Sequence, residues 1–338
     1  MSTSFSSNHN FSKGFFYVAD GTFNFYDTEK KTAYQDCYAS LNAGKTLGIG
    51  NYDSANIIHS NGKFYLLVGT STSNRDHFYI VDAKTLYYEN SAAVGANLSG
   101  LTILNEQYGL VTGDGIRRID LKSLNNVRIK NERLLCFYNS IIYNGKVLSN
   151  DTYKDESKVK YYDVNELIAA KEGEAPAVTE LDIIQKQKIN FVLAKDGNVY
   201  TLESADNGCN IVKIKNDFTL EKVFANFQPA KGPYHSSPTI GMVASETENI
   251  IYLVSTDGAI YKYILGDSDS LKAPFIAAES GVSITAPLQL NQQSGELYVT
   301  YTEELKDESK IVVYSKDGKV LHTVDCGESV PSQILFNN

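Results

Sequence analysis

One pattern recurs seven times along the chain, and it constrains the fold more than any other feature. Each copy holds an apolar strand, a Gly- or Asn-bearing turn, an alternating strand often containing Tyr, a loop, and another alternating strand. The turn and second strand read SKGFFYVAD (12–20), SNGKFYLLVG (60–69), NEQYGLVTG (105–113), NGKVLSND (144–151), DGNVYTLES (196–204), ENIIYLVST (248–256) and SGELYVTYT (294–302). Between the aligned positions Tyr17, Tyr65, Gly109, Leu148, Tyr200, Tyr252 and Tyr298 the spacing is 48, 44, 39, 52, 52 and 46 residues. Periods of this length with several strands per copy mark propeller blades. Two stacked β-sandwiches would also use many short strands, but they would not repeat seven times.

The strand preceding each copy settles how the ring closes. ANIIHS (55–60), GLTILN (100–105), NSIIYN (139–144), INFVLA (189–194), IGMVAS (240–245) and APLQLN (286–291) serve copies two to seven as inner strands. Copy one has no such strand ahead of it, because FSSNHNFSKG cannot bury a face. The missing seventh is PSQILF (331–336). A lone apolar strand is unstable in water, so Ile334, Leu335 and Phe336 make sense once paired with the first copy. The expected fold is therefore all-β: a seven-bladed β-propeller over 12–338, closed by the C-terminal strand completing blade one, after a disordered lead at 1–11.

Third strands follow as FNFYDTEK, FYIVDAKT, IRRIDLKS, VKYYDVNE, IVKIKNDF, IYKYILGD and IVVYSKDG. They alternate in period two and end on Asp or Asn, which favour turns. Outer strands such as KTLYYEN and KVLHTVD carry charges that blunt an exposed edge. One stretch reads as helix, VNELIAAKEGE (164–174), capped by Asp163 or Asn165.

Composition limits the function. A net charge of −9 argues against nucleic acid, whose phosphates require clustered Lys and Arg. No run of about 18 apolar residues exists to span a membrane. The four cysteines, Cys37, Cys136, Cys209 and Cys326, lack metal-ligand spacing and read as reduced or buried thiols. Cys37 and Cys326, placed at outer-strand ends of blades one and seven, are the pair that a disulfide could join. Neither a metal nor a cofactor is expected.

In propellers, ligands bind where the loops entering the inner strands and those joining second to third strands converge. Long loops within a compact domain are more often functional. GPYHSSP (232–238) is the sharpest local signal: Pro233 and Pro238 stiffen a loop presenting Tyr234, His235 and Ser236. Tyr offers a flat apolar body with a polar tip, and His235 could ligate a metal centre within a ligand. GIGNYD (48–53) offers Asn51 and Tyr52; VGANLSG (94–100) offers Asn97; CFYNS (136–140) offers Tyr138 and Asn139. Arg75 suits a ligand carboxylate or phosphate. The bland readings are a rigid turn for GPYHSSP, an aromatic plug for Tyr138, and a solvated hairpin tip for KDESK, which occurs at 154–158 and 306–310. For catalysis, no Gly-x-Ser-x-Gly, P-loop or dinucleotide fingerprint is evident, and the five His fall at unlike blade positions.

The repeat grammar resembles the YncE-like (YVTN) propeller family. The closing segment SGELYVTYTEELKDESKIVVYSKDGKVLHTVDCGESVPSQILF (294–336) resembles the last blade of YncE-like surface lipoproteins of Bacteroidetes, with one extra residue between Gly327 and Pro331. NGKFYLL and FYIVDAKTL in blade two also match. That group includes BtuG-like lipoproteins, which sit on outer-membrane transporters and capture corrinoids such as vitamin B12. The resemblance implies a non-enzymatic ligand-capture protein at the outer-membrane surface, lipid-anchored by a segment that this sequence does not include. It implies a small-molecule ligand, corrinoid-like first, passed to a TonB-dependent transporter. A protein- or glycan-binding scaffold and a lactonase-like enzyme are the alternatives.

Overall fold

The structure, a computed structural model, describes residues 5, 9–45, 47, 54–69, 76–96, 98, 100–113, 115–130, 140–150, 157–174, 176–185, 190–230, 241–303 and 308–337. The chain is a seven-bladed β-propeller whose seven sheets follow the seven copies. It divides into two compact units. The first holds residues 1–138, 163–177 and 331–338, and the second holds 139–162 and 178–330.

In the first unit, the C-terminal strand Pro331–Leu335 pairs antiparallel with Gly14–Ala19. Phe16 lies opposite Leu335 and Tyr17 opposite Ile334, so the last strand is the inner strand of blade one. The Gln333 amide locks it to blade two, donating to Ile57 O at 2.7 Å and accepting from Ile57 N at 3.3 Å. Second strands bury both faces because each sheet is covered by neighbours, and so they read as near-continuous apolar runs. Between sheets one and two, Phe16, Phe25, Phe64, Leu66 and Val81 pack together; between two and three, Tyr65, Phe78, Val111 and Ile119 do. In the second unit the same role falls to Leu148, Ile183 and Val212, then Tyr200, Ile211 and Ile251, then Tyr252, Ile260 and Val299.

Turn chemistry follows the sequence. Asn61–Gly62 and Asn144–Gly145 take positive φ at both central positions, the geometry that joins two strands without splaying them. Four third strands end on an Asp whose carboxylate accepts the N–H groups two and three residues on: Asp27, Asp82, Asp120 and Asp163. At Asp120, the Ser123 N–H bond, opposed by partial burial and reinforced by the Ser123 hydroxyl, holds the carboxyl below its ordinary range. A depressed folded-state pKa stabilises the fold above the unfolded value near 3.8 and loses that contribution as pH falls through the folded one. The urea midpoint is therefore expected to drop below about pH 4. Asp120→Asn keeps an acceptor and should flatten that dependence slightly; an unchanged acid limb in the variant would remove Asp120 from the account.

The structure corrects several expectations. The outer strand of blade one is short, Thr32–Tyr34, and Cys37 opens a helix α1 (Cys37–Leu41), because the Asp36 carboxylate caps Ala39 N. Cys37 donates to Tyr34 O at 3.3 Å, and both it and Cys326 are free thiols, so the disulfide option is not realised. Burial pushes each of these thiols up to about 12. The helix α2 is shorter than expected, Val164–Ala169. Asp163 caps its start, and the Arg118 guanidinium donates to the carbonyls of Leu167, Ile168 and Ala170 at its end. Part of the supposedly disordered lead is packed. Phe5 stacks on His9 and Phe11, and Phe11 is buried against Phe16 and Phe25.

Among the described residues blade six has three strands, and the chain after Ile260–Ile264 turns through Ser268–Leu271 and covers the edge with Phe275 and Ile276 bonded to Ile260. In blade seven the inner strand is split into Val282–Ile284, expected as loop, and Gln289–Leu290.

One buried group runs against the fold. Tyr38 is buried and lines an apolar gap with Phe23, Leu47, Phe64, Leu66 and Val81, and its hydroxyl has no hydrogen-bond partner among the described residues. An unpaired buried hydroxyl costs on the order of 1–3 kcal/mol. Tyr38→Phe is expected to raise stability by about 1 kcal/mol in chemical denaturation. A loss of stability would mean that the hydroxyl is paired after all.

Candidate functional site

All nine residues singled out as ligand-facing, Asn51, Tyr52, Arg75, Asn97, Tyr138, Asn139, Tyr234, His235 and Ser236, lie outside the described residues. What the structure does describe is the base of one of their segments, 231–240, together with the bases of two neighbouring connections, 151–156 and 186–189, and this base is polar and buried.

In the second unit, a chain of side chains runs through blades four, five and six. Asn150 ends the second strand of blade four, Lys146–Asn150, and its Nδ2 donates to Gln185 Oε1 at 2.6 Å. Gln185 ends the outer strand of the same blade, Val178–Gln185. Its Nε2 donates across to blade five, to Thr201 Oγ1 at 2.9 Å and Leu202 O at 3.0 Å. The Thr201 hydroxyl donates in turn to Asn190 O at 3.1 Å. The Asn190 side chain continues to blade six: Nδ2 donates to Met242 O at 2.6 Å, and Oδ1 accepts from Met242 N at 2.9 Å. Asn150, Gln185 and Thr201 are each 1% exposed or less. Polar groups this deep destabilise a core unless satisfied, and when satisfied they fix one arrangement.

The chain members stand where described strands give way to connections. Asn150 precedes 151–156, Gln185 and Asn190 flank 186–189, and Gly241 and Met242 follow 231–240. The residues on either side of the last of these pair with the same strand, Ile250–Val254, and its continuation. Ala230 N donates to Val254 O, and Pro229 bridges Ser255, while Met242 pairs with the adjacent Leu253. Both ends of the segment carrying Tyr234, His235 and Ser236 thus rest on consecutive residues of the second strand of blade six. Gly241 is required at the return: a Cβ there would sit 2.0 Å from Asn190 Oδ1. Beside the other stem, the Ser255 hydroxyl donates to Asp257, the first cause holding that carboxyl below its usual range.

Sequence reasoning missed Asn150, Gln185, Asn190 and Thr201. For Asn150, Gln185 and Asn190 the only signal is position, a polar residue directly beside a connection, and Thr201 is a polar residue within the strand Val199–Ala205; none is distinguishable from an exposed residue until the neighbouring blade is in place. Among the described residues no group of three His, Cys, Asp or Glu could hold a metal ion.

The family described as "Domain of unknown function (DUF5074)" matches residues 11–337. The chain belongs to the DUF5074 family. Among solved structures, this DUF5074 chain is 99% identical to a quinoprotein alcohol dehydrogenase-like protein from Bacteroides thetaiotaomicron, with a TM-score of 0.94, over 98% of this chain and 80% of that one. A functionally unknown protein from Desulfotomaculum acetoxidans shares 12% identity at a TM-score of 0.60, over 96% of this chain and 99% of that one, a likeness of fold alone. No curated protein matches the DUF5074 chain.

Proposed function

We propose that this propeller is a non-enzymatic capture protein: it holds a small molecule, corrinoid-like first, at the outer-membrane surface and passes it to a TonB-dependent transporter. The observation that carries the reading is the buried chain from Asn150 to Met242. A buried, hydrogen-bonded polar network directly under connection bases is a support that pre-organises a binding site on a rigid scaffold. The segment that Asn190 anchors carries Tyr234, His235 and Ser236; Asn51, Tyr52, Arg75, Asn97, Tyr138 and Asn139 are the remaining ligand-facing candidates. The Bacteroides source of the near-identical structure agrees with the resemblance of the last blade to surface lipoproteins of that phylum.

Titration with cyanocobalamin tests it. The corrin absorption band is expected to shift, and Tyr234→Ala and His235→Ala are each expected to weaken binding by about thirtyfold, as for a central anchor. An unshifted band and a flat calorimetric trace would remove the corrinoid. The name of the near-identical protein favours a second reading, alcohol oxidation. Dye-coupled oxidation of primary alcohols by the purified protein is expected to be absent, and turnover would replace capture by dehydrogenation.

A further inference from the structure

We propose that the buried amide chain couples the bases of the connections it underlies, with Gln185 and Asn190 as positioning residues; their effect on ligand affinity rests on the capture reading above, whereas the coupling itself does not. Gln185 and Asn190 each use both the donor and the acceptor of the amide. Gln185 accepts from Asn150 on blade four while giving both N–H groups to blade five. Asn190 uses its donor and its acceptor on the same residue, Met242, and Gly241 beside it leaves no room for even a methyl group.

Such a chain has no slack. Removing the Gln185 amide strips Asn150 Nδ2 of this acceptor and Thr201 Oγ1 of this donor in a region closed to solvent. Thr201 is also the group that holds Asn190 O, and Asn190 holds Met242. Relief for Thr201 Oγ1 and Leu202 O, which lose the Gln185 N–H groups, therefore requires movement of the strand that bears them, and Met242 is the next fixed point along the line. Gln185 makes no hydrogen bond to Met242, and the hydrogen-bonded path between them runs through Thr201 and Asn190. Spatial contiguity alone does not establish such coupling, and a cycle of variants measures it.

The experiment is hydrogen exchange of the Met242 N–H in the full chain, for Gln185→Ala, Asn190→Ala and the double variant. Each single change is expected to speed exchange about tenfold, and the pair by clearly less than the product, because both act on one network. Exchange in the Val312 region of blade seven is expected to stay unchanged. Gln185→Glu, which keeps the acceptor and loses the donors, should act in the same direction and serves if the Ala variant does not fold. Unaltered Met242 exchange in the Gln185 variants, or equal acceleration at every amide, would overturn the coupling. Cyanocobalamin titration of the same proteins separates the two claims. If wild type binds, both single variants should weaken affinity about tenfold, and unchanged affinity would end the positioning role. If wild type does not bind while Met242 behaves as stated, the corrinoid falls and the coupling stands.

Discussion

Removal of Pro331–Asn338 is expected to lower the unfolding midpoint in urea by a third or more, followed by far-UV circular dichroism. Ile334 and Leu335 are buried, and burying two such side chains is worth about 3–6 kcal/mol. The Gln333 amide bonds to Ile57 and the Asn337 bond to Ala83 O go with them. Against a typical total of about 5–15 kcal/mol, that loss is decisive. It also strips the inner edge of Gly14–Ala19, leaving an apolar strand half paired. A midpoint within error of the full chain would mean that the last strand contributes nothing to blade one.

The second large effect is Phe16→Ala, expected to cost about 3–5 kcal/mol. Phe16 has no exposed surface, and its ring lies 5.1 Å from Phe11, 5.2 Å from Phe23, 5.1 Å from Phe25 and 5.5 Å from Phe64. These partners come from the lead, the third strand of blade one and the second strand of blade two. Truncation therefore opens a cavity at the junction of two sheets, where three separate segments would have to shift to fill it. A cost under about 1 kcal/mol would show that the cluster collapses freely.

The sequence carried the repeat and its closure well, for a physical reason. A strand with covered faces needs apolar residues at most positions, so GFFYVA, KFYLLVG and IIYLV stand out without any partner in view. The terminal PSQIL is legible on the same ground. What failed to show is decided by neighbours. The third sheet edge of blade six is covered by Phe275 and Ile276, which read equally well as strand or loop until Ile260 is placed beside them. Cys37 sits in a helix because of a cap from Asp36, a local bond that competes with strand continuation. Gln185 and Asn150 carry no mark of burial, since an amide at a strand end is more often wet. The nine residues singled out as ligand candidates lie outside the described residues, and the titration of their variants tests them.

The pairing of the first sheet with the last strand also bears on how the molecule is made. The Ser332 hydroxyl reaches Val18 O across 314 positions of chain, so Gly14–Ala19 leaves the ribosome long before the strand that completes its sheet. Through that interval Gly14–Ala19 presents a bare, greasy edge of the kind that templates aggregation. Refolding from denaturant should accordingly be slow, and a cell making this chain has reason to keep it bound to a holdase until translation ends.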